Sequence, residues 1–391
     1  MRARNILIFV LFMLVTAGVL LWQFYFRGAT GPVAQPKAPL EVSVLYASEL
    51  DSWLRPAAAA FNARKQQVGG QEVHVTLDSM DGGTAMDAIL RGQKKPTVWM
   101  PEAMLWVNLL NSQWREGHDS DLILRSGQYQ ATPLALTPMV FVMWEERATV
   151  FNQKFGKVDW DTIQQAVHTP GDWAGLGGDP GWGPVKFGQT DPARSNSGLM
   201  ALTLATYSYH KKTTDLTIKD LDDQQYIAWL TALEKGVQEF ANSSASQMRD
   251  MVVQGPGAFD VVAIYESLAT EQIKNAEARW GKLHVYYPAL NIWSDHPYSI
   301  LVSQETSAEQ KDAALAFEDF LYGTEWQNRA LTLGFRPANP DVPIQTTDPT
   351  NPFNTYKDYG FDPRAVGRTS LVSTPSGPVL TALQNLFVRV R

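Results

Sequence analysis

The sequence predicts an α/β protein built as one two-lobed unit or as two domains of ordinary size. Three observations lead there. Strand and helix patterns alternate with short loops from residue 41 to residue 109, the order that gives a mostly parallel sheet covered by helices. Two apolar runs, at residues 134–143 and 298–302, read as passages of the chain from one sheet to the other. The 391 residues are enough to bury a sizeable core.

Each element follows from its residues. Residues 41–47 (EVSVLYA) form a short β-branched run, then Ser48 turns the chain into a helical pattern through Trp53 and Phe61. Residues 73–77 (VHVTL) are a second strand; the turn Asp78-Ser79-Met80-Asp81-Gly82-Gly83-Thr84 follows, and Met86, Ile89 and Leu90 then fall on one helical face. Residues 97–100 (TVWM) are a third strand, and Pro101-Glu102 opens the next helix. In an open sheet of this kind the ligand crevice lies at the carboxyl ends of the strands, which makes Ser48, Ser79 and Trp99 candidate contacts. Pro138 interrupts the run at 134–143, and proline is tolerated in a sheet only at an edge or where pairing changes. Further on, helices are expected at 199–209, 220–237, 248–253, 308–321, 325–333 and 379–387, with strands at 185–187, 258–264 and 283–287. The Pro/Asn/Asp/Thr-rich stretch 338–363 is expected to wrap the surface.

The segment Thr190-Asp191-Pro192-Ala193-Arg194-Ser195-Asn196-Ser197-Gly198 runs from a turn straight into an apolar helical pattern. Ser195 or Ser197 can cap that helix, whose first amides lack intrahelical partners at the positive end of the dipole. Neither cap has Glu or Gln three residues on, so nothing local neutralises this end, and it suits an anion or a polar oxygen.

Composition narrows the partners. The absence of cysteine excludes disulfides, zinc-thiolate sites, thiol catalysis and a lipidated N-terminal cysteine. A net charge of -7 argues against nucleic acid as partner, and 13 Trp with 13 Tyr suit surfaces or clefts built for recognition. Residues 6–26 carry no charge and follow Arg2 and Arg4. That run is long enough for a transmembrane anchor, and its ending in Trp22, Tyr25 and Phe26 is unlike a signal-peptide cleavage site. Residues 1–5 are then a cytoplasmic stub, residues 27–39 a Gly/Pro/Ala-rich linker, and the bulk of the chain lies outside the cell membrane.

No enzymatic constellation emerges. No two of the six histidines are spaced i, i+4, no G-x-S-x-G elbow is present, and Gly82-Gly83-Thr84 lacks the lysine of a nucleotide loop. Gly175-Leu176-Gly177-Gly178 runs into Asp179-Pro180-Gly181 instead of a helix. The expectation is a binding protein, without catalytic residues, cofactor or metal.

Taken in order, the strand before Ser48, residues 78–90, 133–142 and 190–201, Ala263-Ile264-Tyr265-Glu266, residues 296–301 and the ending 320–337 (FLYGTEWQNRALTLGFRP) resemble the bacterial extracellular solute-binding proteins of the two-lobed, type II periplasmic kind. The resemblance covers residues 40–337. It implies a first lobe from residues 40–136 with 290–391, a second from 137–289, two crossing strands as hinge, and a cleft that a small ligand closes. Carried over, the contacts are Ser48, Ser79, Thr137, Ser195, Asn196, Ser197, Gly198 and Tyr265. It also implies delivery to an ABC-type permease; the alternative is an envelope receptor or scaffold that senses a ligand or a protein partner. The sequence departs from relatives that bind tetrahedral oxyanions, because Asp78, Asp81 and Glu266 fall near the cleft. Carboxylates beside a buried anion cost several kcal/mol unless paired, so either these point away or the ligand is not a bare oxyanion. The uncleaved anchor is a second departure.

Overall fold

The computed structural model describes residues 2–27, 38–241 and 243–391. Its strands are β1 (Leu40–Tyr46), β2 (Gln67–Val68), β3 (Gln71–Ser79), β4 (Val98–Met100), β5 (Thr132–Pro133), β6 (Ala135–Trp144), β7 (Phe187–Thr190), β8 (Val237–Ala241), β9 (Val261–Tyr265), β10 (Leu283–Tyr286), β11 (Leu290–Asn291), β12 (Trp293–Ser294), β13 (Pro297–Ile300), β14 (Arg336–Pro337) and β15 (Ser370–Leu371). Two main sheets result, in the orders β2-β3-β1-β4-β13-β5 and β10-β6-β9-β7-β8.

Both sheets are mixed, where mostly parallel sheets were expected. In the first, β1 pairs parallel with β3 and β4, while β13 runs antiparallel to β4 and β5. In the second, β7 pairs parallel with β8 and β9, while β6 runs antiparallel to β9 and β10. The antiparallel members are the passages themselves, which enter a sheet from the other lobe and not through a crossover helix. Pro133 lies in the first sheet and Ala135 in the second; the return leg leaves the second sheet at Ser294 and joins the first at Pro297. Pro138 sits on β6 opposite Trp293, where the pairing passes from β14 to β12 and then to β9. That change of partners is what lets a proline occupy the strand.

Strand alternation sorts the core. Val42, Val44 and Tyr46 face one side of the first sheet and pack with Trp53, Phe61 and Phe317 from the helices Asp51–Ala63 and Ala308–Tyr322. Leu45 and Trp99 face the other side with Trp106 and Leu109, in a core that continues into the second lobe through Phe141, Val262 and Leu199. Each large apolar side chain buried this way contributes about 1.5–3 kcal/mol.

The expected elements at 199–209, 248–253, 308–321, 325–333 and 379–387 appear as the helices Asn196–His210, Ser244–Gln254, Ala308–Tyr322, Thr324–Thr332 and Gly377–Val390. The region expected as one helix at 220–237 is instead Ile218–Leu221, then Gln224–Lys235, then the strand β8. Asp223 breaks it, because its carboxylate caps the second helix through the amides of Gln225 and Tyr226. Residues 338–376 begin on the first lobe, where Asn339 Nδ2 donates to the Tyr322 carbonyl at 2.8 Å, and reach the second, where the Tyr207 hydroxyl donates to the Ser373 carbonyl at 2.9 Å; on the way β15 pairs with β11. The last helix then lies on the first-lobe helix Met104–Trp114 and on the second-lobe helices Asn196–His210 and Gln224–Lys235. The Gln384 amide donates to the Pro192 carbonyl at 2.9 Å, and Phe387 meets Phe240 edge-on.

The segment expected as an anchor lies in the helix Arg2–Arg27, whose apolar side chains from Leu7 to Trp22 are exposed. Among the described residues no helix is long and apolar enough to cross a membrane, so the structure does not bear out the anchor. Most of the expected linker, residues 28–37, lies outside the described residues.

Glu234 is a buried acid of the second lobe. The Gln189 amide donates to one of its oxygens and the other has no partner, so burial pushes its carboxyl up from 4.5 to about 8. A buried acid held protonated stabilises the fold fully below the unfolded value of 4.5, and that contribution is lost as pH rises through about 8. Glu234→Gln is therefore expected to gain stability relative to wild type by several kcal/mol between about pH 5 and about pH 8, read by urea unfolding across that range. Parallel stability profiles would exclude it.

Candidate functional site

Three strand ends of the first lobe deliver three acids to one place. The chain turns after β1 through Ser48–Leu50, carrying Glu49. After β3 it reaches Asp81, the N-cap of the helix Gly82–Leu90. After β4 it reaches Glu102. One carboxylate oxygen from each of Glu49, Asp81 and Glu102 lies within 4.8 Å of the other two.

Each acid is held differently. The Ser48 hydroxyl donates to Asp81 Oδ1 at 2.8 Å. Glu102 Oε1 accepts the Gly82 amide at 3.0 Å, the first free N–H of the helix that Asp81 begins. Its Oε2 is buried without a partner. Glu49 lies 3.3 Å from His296 Nε2, while His296 Nδ1 lies 2.8 Å from the Ala135 carbonyl. His296 is fully buried at φ 38, a left-handed conformation in the return leg between the sheets. Burial first, then Glu49 and Asp81, drives the Glu102 carboxyl well above the usual carboxylate range. Asp81 is raised by burial and then by Glu49, against the opposing pull of the Ser48 hydrogen bonds.

The second lobe supplies the facing wall. Asn196 Nδ2 donates to the Tyr265 hydroxyl at 2.8 Å, and its Oδ1 is buried without a partner. Ser294 ties the walls together: its hydroxyl lies 3.4 Å from Asn196 Nδ2 and donates to the Glu102 carbonyl at 2.7 Å. Burial, followed by the charges of Glu49 and Glu102, raises the Tyr265 hydroxyl well above its ordinary value, which places that ring in the field of the acids. The lobes meet closely at the rim, where a Cβ on Gly83 would stand 2.6 Å from the Ala193 carbonyl oxygen.

Of the residues expected at the site, the structure gathers Ser48, Asn196 and Tyr265 around the acids. Ser195 and Ser197 are buried in a chain of hydroxyls with Ser244 and Thr190, at 3.0, 2.9 and 2.7 Å. Ser195 is the helix N-cap, but its side chain makes no capping bond. Gly198 packs on the Thr190 carbonyl. The Thr137 hydroxyl accepts the Ser267 amide at 3.0 Å at the crossing. Trp99 is wholly buried in the first-lobe core and Ser79 is exposed at the end of β3. Asp78 pairs with Lys94 at 2.5 Å on the surface. Glu266 is held by Arg336 through two bonds, at 2.7 and 2.8 Å, and so presents no free charge.

Sequence reasoning missed Glu49, Glu102, Ser294 and His296. A usable signal existed for the two acids, since each stands within three residues of a strand's carboxyl end, and Glu102 does so in an otherwise apolar stretch.

Two mixed sheets joined by crossing strands, with buried polar groups from both lobes between them, define a two-lobed ligand-binding protein. Residues 42–336 match the bacterial extracellular solute-binding protein family, and the chain belongs to it. No curated protein matches the chain. Among solved structures it is similar to the iron-bound HitA of Pseudomonas aeruginosa, at 14% identity and a TM-score of 0.56 over 90% of this chain and 99% of that one. The fructose-6-phosphate-bound periplasmic binding protein AfuA of Actinobacillus pleuropneumoniae gives 15% and 0.57 over 90% and 97%. The sulfate-binding protein SubI of Mycobacterium tuberculosis gives 18% and 0.51 over 77% and 88%. At such identities the likeness is one of fold.

Proposed function

We propose that this protein captures a small solute between its lobes outside the cytoplasm and delivers it to an ABC-type transporter, acting as a binder and not as an enzyme. The observation that carries this reading is that each lobe brings a partnerless buried polar atom to the seam, Glu102 Oε2 from the first and Asn196 Oδ1 from the second, where the Ser294 hydroxyl lies against Asn196 and donates to the Glu102 carbonyl. A buried polar atom without a partner costs about 1–3 kcal/mol, and a ligand that satisfies it recovers that cost. The proposed lobes are residues 40–136 with 290–391 and residues 137–289, a division supported by the exchange of sheets near residues 134 and 295. Attachment to the membrane through residues 6–26 is part of the proposal and rests on the sequence, namely the uncharged run behind Arg2 and Arg4.

The test is a thermal-shift screen of the full chain against oxyanions, sugars, amino acids, polyamines and metal ions. A true ligand at about a hundredfold over its dissociation constant adds roughly 2.7 kcal/mol of stability, and Asn196→Ala is expected to lose most of that gain. A panel that leaves the folded protein unmoved would replace this reading with the receptor or scaffold.

A further inference from the structure

Building on the solute-binding reading, we infer that the cleft takes a divalent metal cation, held by the carboxylates of Glu49, Asp81 and Glu102. Three carboxylate oxygens within 4.8 Å of one another converge on an ion-sized point. A cation of the calcium class binds oxygens at about 2.3–2.6 Å, which sets neighbouring ligands no more than about 5 Å apart. The donors are hard oxygens throughout, the set that selects calcium, magnesium or manganese over softer metals.

Two observations independent of the clustering point the same way. Glu102 is 3 % exposed, yet one of its oxygens has no partner. Asp260 has its oxygens satisfied by Arg147, Lys186 and Trp173, and Glu234, which also keeps one free oxygen, is not grouped with other acids, whereas Glu102 stands with Glu49 and Asp81. Gly82 also packs closely on that free oxygen: a Cβ there would stand 2.4 Å from Glu102 Oε2 and 2.5 Å from the partnerless Trp106 Nε1, so any side chain at this position would crowd it. Gly82 is not in the left-handed region, so the chain conformation does not require glycine there. From the opposite wall the free Asn196 Oδ1 offers a further neutral oxygen of the kind such ions accept. An anionic solute is disfavoured at this point, where three carboxylates stand together and the ion pair they make is that of Glu49 with His296.

The test uses the full chain after chelator treatment, titrated with Ca2+, Mn2+ and Mg2+ and, in parallel, with spermidine, by calorimetry and thermal shift. At least one divalent ion is expected to bind and to raise the melting temperature. Asp81→Asn is expected to weaken that binding by about 100-fold or more. Glu102→Gln is expected to abolish it while raising the melting temperature of the ion-free protein, because one of three crowded carboxylates is gone; a variant that merely unfolds cannot give this pair of opposite signs. Spermidine or another solute binding where no divalent ion does would overturn the metal assignment and leave the solute-binding reading standing. Silence from every compound would end both. Full ion response in both variants would place the ion elsewhere and overturn the assignment.

Discussion

Arg336→Met is expected to destabilise the protein by about 3–5 kcal/mol, the usual consequence of stripping one partner from a buried ion pair. Arg336 and Glu266 are 2 % and 0 % exposed, and two parallel hydrogen bonds join them. The guanidinium also donates to the carbonyls of Pro363 at 2.8 Å and Asp362 at 2.9 Å, and lies 4.7 Å over the Phe353 ring. Without it, Glu266 is left, among the described residues, with the Tyr287 hydroxyl in a site closed to water. The Arg336→Met/Glu266→Leu double variant is expected to regain most of the loss, because a matched apolar pair leaves no charge behind. Urea unfolding followed by tryptophan fluorescence reads both. A single-variant loss below about 1 kcal/mol, the range of exposed pairs, would show that water reaches the pair.

Gly198→Ala is expected to cost about 1–3 kcal/mol of stability and to weaken binding in the cleft as well. A methyl group there would lie 2.2 Å from the Thr190 carbonyl oxygen and 2.9 Å from the Pro192 nitrogen. Both are backbone atoms and neither can swing aside, so the first turn of the helix Asn196–His210 must move. Asn196 moves with it and its bond to Tyr265 lengthens. Urea unfolding gives the stability, and the response of the variant in the solute screen gives the binding. Wild-type behaviour in both would mean that the turn at residues 190–192 yields without cost.

The fold was largely legible because its signals are local. The β-branched run at residues 41–47 marked β1, apolar spacing marked most of the helices, and the apolar run at 134–143 marked the passage between sheets, which lies between Pro133 and Ala135. The mixed pairing was not legible, since it depends on which strands from the other half of the chain enter each sheet. At the site, the sequence pointed to turns that the structure brings together, but to side chains other than the acids that cluster there. Ser48 is exposed at the turn after β1, while Glu49 beside it turns towards the other acids. At the helix start, Ser195 and Ser197 were the expected ligand donors, yet both spend their hydroxyls on Ser244, which lies 49 and 47 residues on. Asn196 between them keeps the free oxygen. Glu266 looked like a cleft charge until Arg336, 70 residues away, accounted for it.

The last helix bears on exchange kinetics. Gly377–Val390 rests on helices of both lobes, with Leu380, Leu383 and Phe387 fully or almost fully buried. The Asn108 side chain of the first lobe holds the Pro375 carbonyl at 2.8 Å, and Gln384 holds Pro192 of the second. Parting the lobes therefore requires this helix to peel from one of them, exposing apolar surface at about 25 cal/mol per Å². The energy of opening adds to the barrier for entry and for release alike, while a cleft already closed draws less of the ligand's affinity into closing it. A binding protein built this way trades turnover for retention: residence time, more than capture rate, is the quantity its architecture favours.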